Sequence, residues 1–192
     1  MKSNVCKIEK GTQDLEQIFF ECDKVAKYNE LDHKQALQLR LLGEELVNML
    51  PSIVSNFSGE FWIENQEDYY ELCINVKVDN MDIDTRDRLI KVSKNNKNAS
   101  IVGITGKIRA VFDYMAMGGD DLVVLPAGRY GFSSNMDYTQ VWSLQEYRNT
   151  LDGEGSPEWD EFEKSIIVKI ADDVTVGVKG KTVNMMIKKT FA

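Results

Sequence analysis

Chemistry in this 192-residue chain has few side chains to draw on. His33 is its one histidine, which removes most zinc sites and every scheme that needs two imidazoles. Proton chemistry at neutral pH must therefore rest on carboxylates, Lys or Tyr. The most suggestive pair is Glu44 and Asn48, four residues apart in a run of helical periodicity. At about 100° per residue, Leu39, Leu42, Leu46, Leu50 and Ile53 share one stripe, while Leu37, Leu41, Glu44 and Asn48 share the opposite one. A helix apolar on two sides is expected to be covered on both, which places Glu44 and Asn48 at the edge of a pocket or groove. Asp79 follows a strand-like run, where an Asp also suits turn initiation through its side chain. Gly103 and Gly106, followed by Lys107, could cradle a phosphate or serve helix packing and turns.

The elements that must hold these residues can be read from periodicity. Leu15, Ile18, Phe19, Cys22, Val25 and Ala26 predict an amphipathic helix from Leu15 to about Tyr28. A second helix starts near Asp32, a suitable N-cap, with His33 exposed in its first turn, and runs toward Pro51, which a helix interior disfavours. Gly59 to Glu64 and Tyr69 to Val78 read as strands, joined as a hairpin by the spacer Asn65 to Asp68. In the second strand Leu72, Ile74, Val76 and Val78 alternate with Cys73, Asn75 and Lys77, so Cys73 is expected on the face away from the helices.

An acidic turn from Asp79, a short polar helix from Thr85 to Ser93 and an apolar helix from Ile101 to Met117 come next. Residues 118 to 155 are the least decipherable, with a strand Leu122 to Leu125 and a helix Tyr138 to Leu151 as the expectations. Ser156, Pro157 and Glu158 stand in the order of N-cap, first helical position and first-turn acid, and Trp159, Phe162, Ile166 and Ile170 continue at helical spacing. Val174 to Val178 and Thr182 to Phe191 flank Lys179-Gly180-Lys181 as a closing hairpin. Hairpins separated by helices predict a single α/β (α+β) domain over 1–192, a two-layer sandwich whose mixed, mainly antiparallel sheet carries helices on one face.

Composition narrows the function classes. Lys and Arg number 23 against 31 Asp and Glu, a formal charge of −8, and the sequence pI is 4.8. The longest basic cluster is Lys91, Lys94 and Lys97, so nucleic acid is not the expected partner. With 43% hydrophobic residues the chain can bury a core, and Trp62, Trp142 and Trp159 are assigned to it. Cys6, Cys22 and Cys73 are an odd count at unrelated spacings, which argues against a disulfide framework and for a reducing compartment. Neither a signal-like apolar run nor the roughly 18 apolar residues of a membrane span is present, so a cytoplasmic protein without a membrane is expected.

Three segments resemble the histidine-kinase-like ATPase (GHKL) superfamily, and within it the small anti-sigma-factor serine kinases. Leu37 to Asn48 is similar to the family's N-box helix, a Glu followed four residues later by an Asn. Gly59 to Ile63 and Leu72 to Asp79 resemble the two strands that lead to the adenine-binding Asp. Ile170 to Val176 with Gly180 to Ile187 resembles the last helix and terminal hairpin. Together they span about half of the chain, near its two ends.

The resemblance implies an ATP-binding regulator that acts on a protein partner, a sigma factor or an anti-anti-sigma-like protein, as a serine/threonine kinase, and that forms a homodimer. It implies Glu44 as the general base, Asn48 as a ligand of Mg²⁺ and Asp79 as the acceptor of the adenine amino group. Positions i and i+4 share a helix face, so the first two can address one phosphate–metal unit. Residues 94 to 155 take the place of the ATP lid, as a long helical insertion, with Gly103, Gly106 and Lys107 as one substitute for the glycine-rich phosphate motif and Gly153 and Gly155 as another. The sequence departs from the family at Asp-x-Gly-x-Gly, where Met81 and Ile83 stand at the glycine positions. A degenerate interaction module that binds no nucleotide is the alternative expectation.

Overall fold

The computed structural model of the chain describes residues 1–11, 15–53, 56–66, 69–78, 140–145, 148, 165–179 and 181–191. Six strands, β1 (Cys6–Glu9), β2 (Phe57–Asn65), β3 (Tyr69–Val78), β4 (Gln140–Ser143), β5 (Asp173–Lys179) and β6 (Thr182–Thr190), form one sheet in the order β1-β2-β3-β6-β5-β4. The described helices are α1 (Leu15–Tyr28), α2 (His33–Ile53) and α3 (Ile166–Ile170). The class is α+β. Every described strand pair is antiparallel, the main part of the expected mixed, mainly antiparallel sheet.

Register converts the alternation of the strands into rows. Cys6, Phe61, Ile74, Met185 and Val176 are aligned across five strands, with Ile63, Leu72, Ile187 and Val174 beside them. These side chains form one buried cluster with Ile18, Cys22 and Val25 of α1, Leu39, Leu42, Leu46 and Leu50 of α2, and Ile167 and Val168 of α3. The period-2 and period-3.6 patterns thus meet in a single core, which is where burial of apolar area supplies the driving force. Cys73 lies outside that cluster, in a row with Trp62, Met186 and Thr175, as its alternation predicts. Trp62 is corrected from core to outer face: it is half-buried, its Nε1 donates to Glu64 Oε1 at 2.8 Å, and Lys2 Nζ stands 4.4 Å from its ring.

Several boundaries differ from expectation for identifiable reasons. The strand β1 was not anticipated, although Cys6-Lys7-Ile8-Glu9 alternates apolar and charged residues. The helix α2 passes through Pro51 to Ile53, because a proline near a helix end sacrifices little of the ladder. Gln140 to Ser143 is a strand paired with β5 instead of the start of a helix, and helical geometry begins only at Leu144. Ser165 has extended backbone (φ −72°, ψ 130°), so α3 starts at Ile166 and does not run on continuously from Pro157. Its phase is also different, with Ile167 and Val168 buried and Ile166 exposed. The expected helices at 85–93 and 101–117, the strand at 122–125 and the start at Ser156 lie outside the described residues.

The N-terminal segment is fastened to α1 by a buried carboxylate. Glu21 of α1 is 3% exposed and accepts hydrogen bonds from Asn4 N at 3.1 Å and Asn4 Nδ2 at 2.9 Å, with Lys24 Nζ at 3.5 Å. The register sum shifts by one between Lys2↔Glu64 and Cys6↔Phe61, so one extra residue is accommodated on this side, next to that carboxylate. Charge-assisted bonds to a buried acid of this kind are worth about 1.5–3 kcal/mol each when removed.

Glu71 is the opposite case. It is 7% exposed on the outer face, opposite Glu64 on one side and Lys188 on the other. Burial pushes its carboxyl above the ordinary range, the Glu64 charge adds to this, and Lys188 opposes it. Between the unfolded and folded values the folded chain holds the extra proton, so the stability this group contributes is present below the unfolded value and lost as pH rises. Glu71→Gln is therefore expected to raise the urea midpoint at pH 7 relative to wild type. The gap should close near pH 4 and below, to about zero; an equal gap at both pH values would contradict it.

Candidate functional site

The helix that carries Glu44 and Asn48 is set by a capping box at its start. Gln35 N donates to Asp32 Oδ1 at 2.8 Å, and Asp32 N donates to Gln35 Oε1 at 3.0 Å, which satisfies two groups that the first turn leaves free. Further along, Gly43 lets α2 close on its neighbours. A Cβ there would stand 3.0 Å from Cys22 Sγ and 3.6 Å from both Ile18 Cγ2 and Leu72 Cδ2. The helix is thus held against α1 and β3 one residue before Glu44.

Leu39, Leu42, Leu46 and Leu50 are all buried, as their stripe requires. The opposite stripe is less covered than expected: Leu37 is 50% exposed, Leu41 and Glu44 are half-buried, and Asn48 is exposed. Glu44 and Asn48 therefore stand one turn apart on the outward side of α2, open to a ligand that approaches from outside the core. Glu45 beside them is half-buried, and its carboxyl is raised by burial and by the charge of Glu44. Arg40, one turn earlier, is engaged elsewhere, 3.6 Å from Asp23 Oδ2 and 4.2 Å from the Phe19 ring.

The other sequence-based site residues, Asp79, Gly103, Gly106 and Lys107, lie outside the described residues. The strand β3 ends at Val78, so its last residue immediately precedes Asp79. Cysteine nucleophiles are not available in the described part. All three cysteines are buried and in no disulfide; burial, with the Asp23 charge, pushes Cys22 up to about 12, and burial with Glu71 raises Cys73. Among the described residues no group of three His, Cys, Asp or Glu side chains is placed to hold a metal ion, and no helix is long and apolar enough to cross a membrane.

A concavity elsewhere in the molecule was not anticipated. It encloses about 490 Å³ between the α1–α2 turn and the ends of β3 and β6, lined by Asn29, Glu30, Leu31, Tyr70 and Phe191 among others. Tyr70 and Phe191 are tilted at 58° with centroids 5.3 Å apart, and Asn65 Nδ2 donates to Asn29 Oδ1 at 2.8 Å. Burial raises the Tyr70 phenol, with Asn65 opposing through a side-chain bond. Its lining comes from three distant segments, so no local motif marks it. It does not include Glu44 or Asn48, which are two or more helical turns from Gln35, its contribution from α2. No family model and no curated protein matches the chain.

Proposed function

We propose that the chain is an ATP-binding regulatory protein resembling the anti-sigma-factor serine/threonine kinases, which acts in the cytoplasm on a protein partner. In this reading the helices and sheet are the two layers of the sandwich, and residues 94 to 155 stand where that family has its ATP lid. The observation that carries it is the placement of Glu44 and Asn48 one turn apart on the outward stripe of α2, on the helix that leads into the hairpin before Asp79.

An amide oxygen is a hard ligand of the type Mg²⁺ accepts, and Mg²⁺ takes few protein ligands because it keeps water and phosphate oxygens, so Asn48 fits the part alone. Bound there with ATP, Mg²⁺ would neutralise charge on the transferring phosphoryl group. Glu44 would draw the proton from the hydroxyl of the partner as that oxygen attacks. Asp79 would accept the adenine amino group, and Gly103, Gly106 and Lys107 would meet the phosphates.

Met81 and Ile83, at positions where the family has glycine, favour a second reading in which the same fold is a non-catalytic interaction module. Side chains there would fill space that backbone leaves open for the nucleotide. Asn48→Ala separates residue roles within the first reading. ATP affinity of the wild type is expected to rise with Mg²⁺, and the variant is expected to lose most of that rise when the two are titrated with and without the metal. An unchanged Mg²⁺ dependence would remove Asn48 as the ligand.

A further inference from the structure

The cavity between the α1–α2 turn and the ends of β3 and β6 has a lining that none of the preceding chemistry uses. Its volume, about 490 Å³, is in the range of small-molecule sites. Among its lining residues Glu30 is the single charged one, set beside neutral polar groups, Leu31 and the rings of Tyr70 and Phe191. The residue is exposed, and among the described residues no ion pair engages its carboxylate.

The backbone at Glu30 makes that carboxylate informative. The helix α1 ends in a Schellman turn, in which Glu30 N donates to Lys27 O at 3.3 Å and Leu31 N to Ala26 O at 3.0 Å, with Glu30 at φ 55°. Glycine adopts this left-handed conformation without penalty, and a carboxylate just past the carbonyl end of a helix meets the negative end of its dipole. Folding alone would favour glycine here on both counts. The same two negative features add up in favour of a ligand that carries positive charge.

The rest of the lining selects the kind of cation. A hard metal ion needs several oxygen ligands, but Asn29 Oδ1 is taken by Asn65 Nδ2 at 2.8 Å and Gln35 Oε1 by Asp32 N at 3.0 Å. An organic cation needs fewer: its apolar stem can lie on Leu31, Tyr70 and Phe191 while its head meets Glu30. Lys189 shows the pairing within the chain, its Nζ 5.8 Å from the Phe191 ring and 3.2 Å from Asp172 Oδ1. We propose that this cavity binds a small organic cation, an alkylammonium or guanidinium group, with Glu30 as its counter-ion and Tyr70 and Phe191 as its walls. Glu44 and Asn48 take no part, so the site stands apart from ATP binding.

Titration of the isotope-labelled full chain with n-butylammonium chloride at constant ionic strength, followed by amide chemical shifts, tests this. Saturable shifts are expected at Glu30, Leu31 and Phe191 with a Kd of about 10 mM or tighter. The uncharged analogue 1-butanol should bind at least about tenfold more weakly, and Glu30→Gln should weaken butylammonium by a similar factor. Glu30→Gly should lose binding to the same degree and yet melt no lower than wild type, because glycine suits the left-handed position. A parallel titration with Nα-acetyl-lysine methylamide separates the sources of the group: binding equal to or tighter than that of butylammonium marks a lysine side chain of a protein, and weaker binding marks a free amine. No saturable shift up to about 50 mM butylammonium, equal binding of 1-butanol, or wild-type affinity in Glu30→Gln would each overturn the proposal.

Discussion

Glu44→Ala is expected to lower the turnover of Mg-ATP by at least about 100-fold while leaving ATP affinity within about threefold, because a positioned general base contributes roughly 10²–10⁴ to rate and little to ground-state binding. Water can stand in for the hydroxyl of the partner, so release of ADP by the purified chain is the measurement. Glu45 is a sharp control. It is half-buried and its carboxyl is raised by burial and by Glu44, but it points away from the Glu44–Asn48 stripe by about 100°. Glu45→Ala should thus change turnover by less than about tenfold. Turnover retained in Glu44→Ala would take the base role from that residue.

Gly59→Ala is expected to produce the largest loss of stability. A Cβ at Gly59 would stand 2.1 Å from Asn75 O and 2.7 Å from Val76 Cα, both backbone atoms of the neighbouring strand. Relief requires β2 and β3 to separate, and β3 is the strand on which β2 and β6 both pair. The expected cost is about 3 kcal/mol or more, in the range of backbone-level disruptions. For a chain of this size that corresponds to a drop in Tm of roughly 6–12 °C. Ser58→Ala, one residue earlier and exposed, should stay within about 0.5 kcal/mol. A loss below about 1 kcal/mol for Gly59→Ala would mean that the strands can part cheaply at this point.

What could be read from sequence follows the strength of local pattern. The helix from Leu15 to Tyr28, the start of the second helix at Asp32 and the two hairpins all combine a sustained period with a cap or turn, and the structure has them with nearly the same bounds. The short strands β1 and β4 have four residues each, too few for a period to declare itself, and their existence depends on partners far along the chain. Ile166 to Ile170 shows the same limit. Its β-branched residues fit helix or strand, and the phase that buries Ile167 and Val168 is set by packing against α2, not by spacing from Trp159. Trp62 looks like core by size, yet its indole N–H finds Glu64 and its ring finds Lys2 on the outer face. For the site, the shared stripe of Glu44 and Asn48 was legible because helix geometry alone fixes it. How far that stripe is covered was not, since exposure depends on which elements pack there.

The register of β2 and β3 also bears on the proposed reading. Their pairing runs unbroken from Phe57↔Val78 to Asn65↔Tyr70, so Val78 lies beside Phe57 at the start of β2, just after α2. Under the proposed reading, the rigid hairpin fixes where the adenine acceptor begins, and α2 fixes where the phosphates end.

Calorimetric titration of the folded chain with Mg-ATP tests the central claim most directly. The ATP-binding reading predicts saturable heat with one site per chain and an affinity of about 1 mM or tighter, corresponding to roughly −4 kcal/mol or more favourable. No heat at millimolar Mg-ATP, on protein whose circular dichroism shows it folded, would contradict that reading and leave the non-catalytic module in its place.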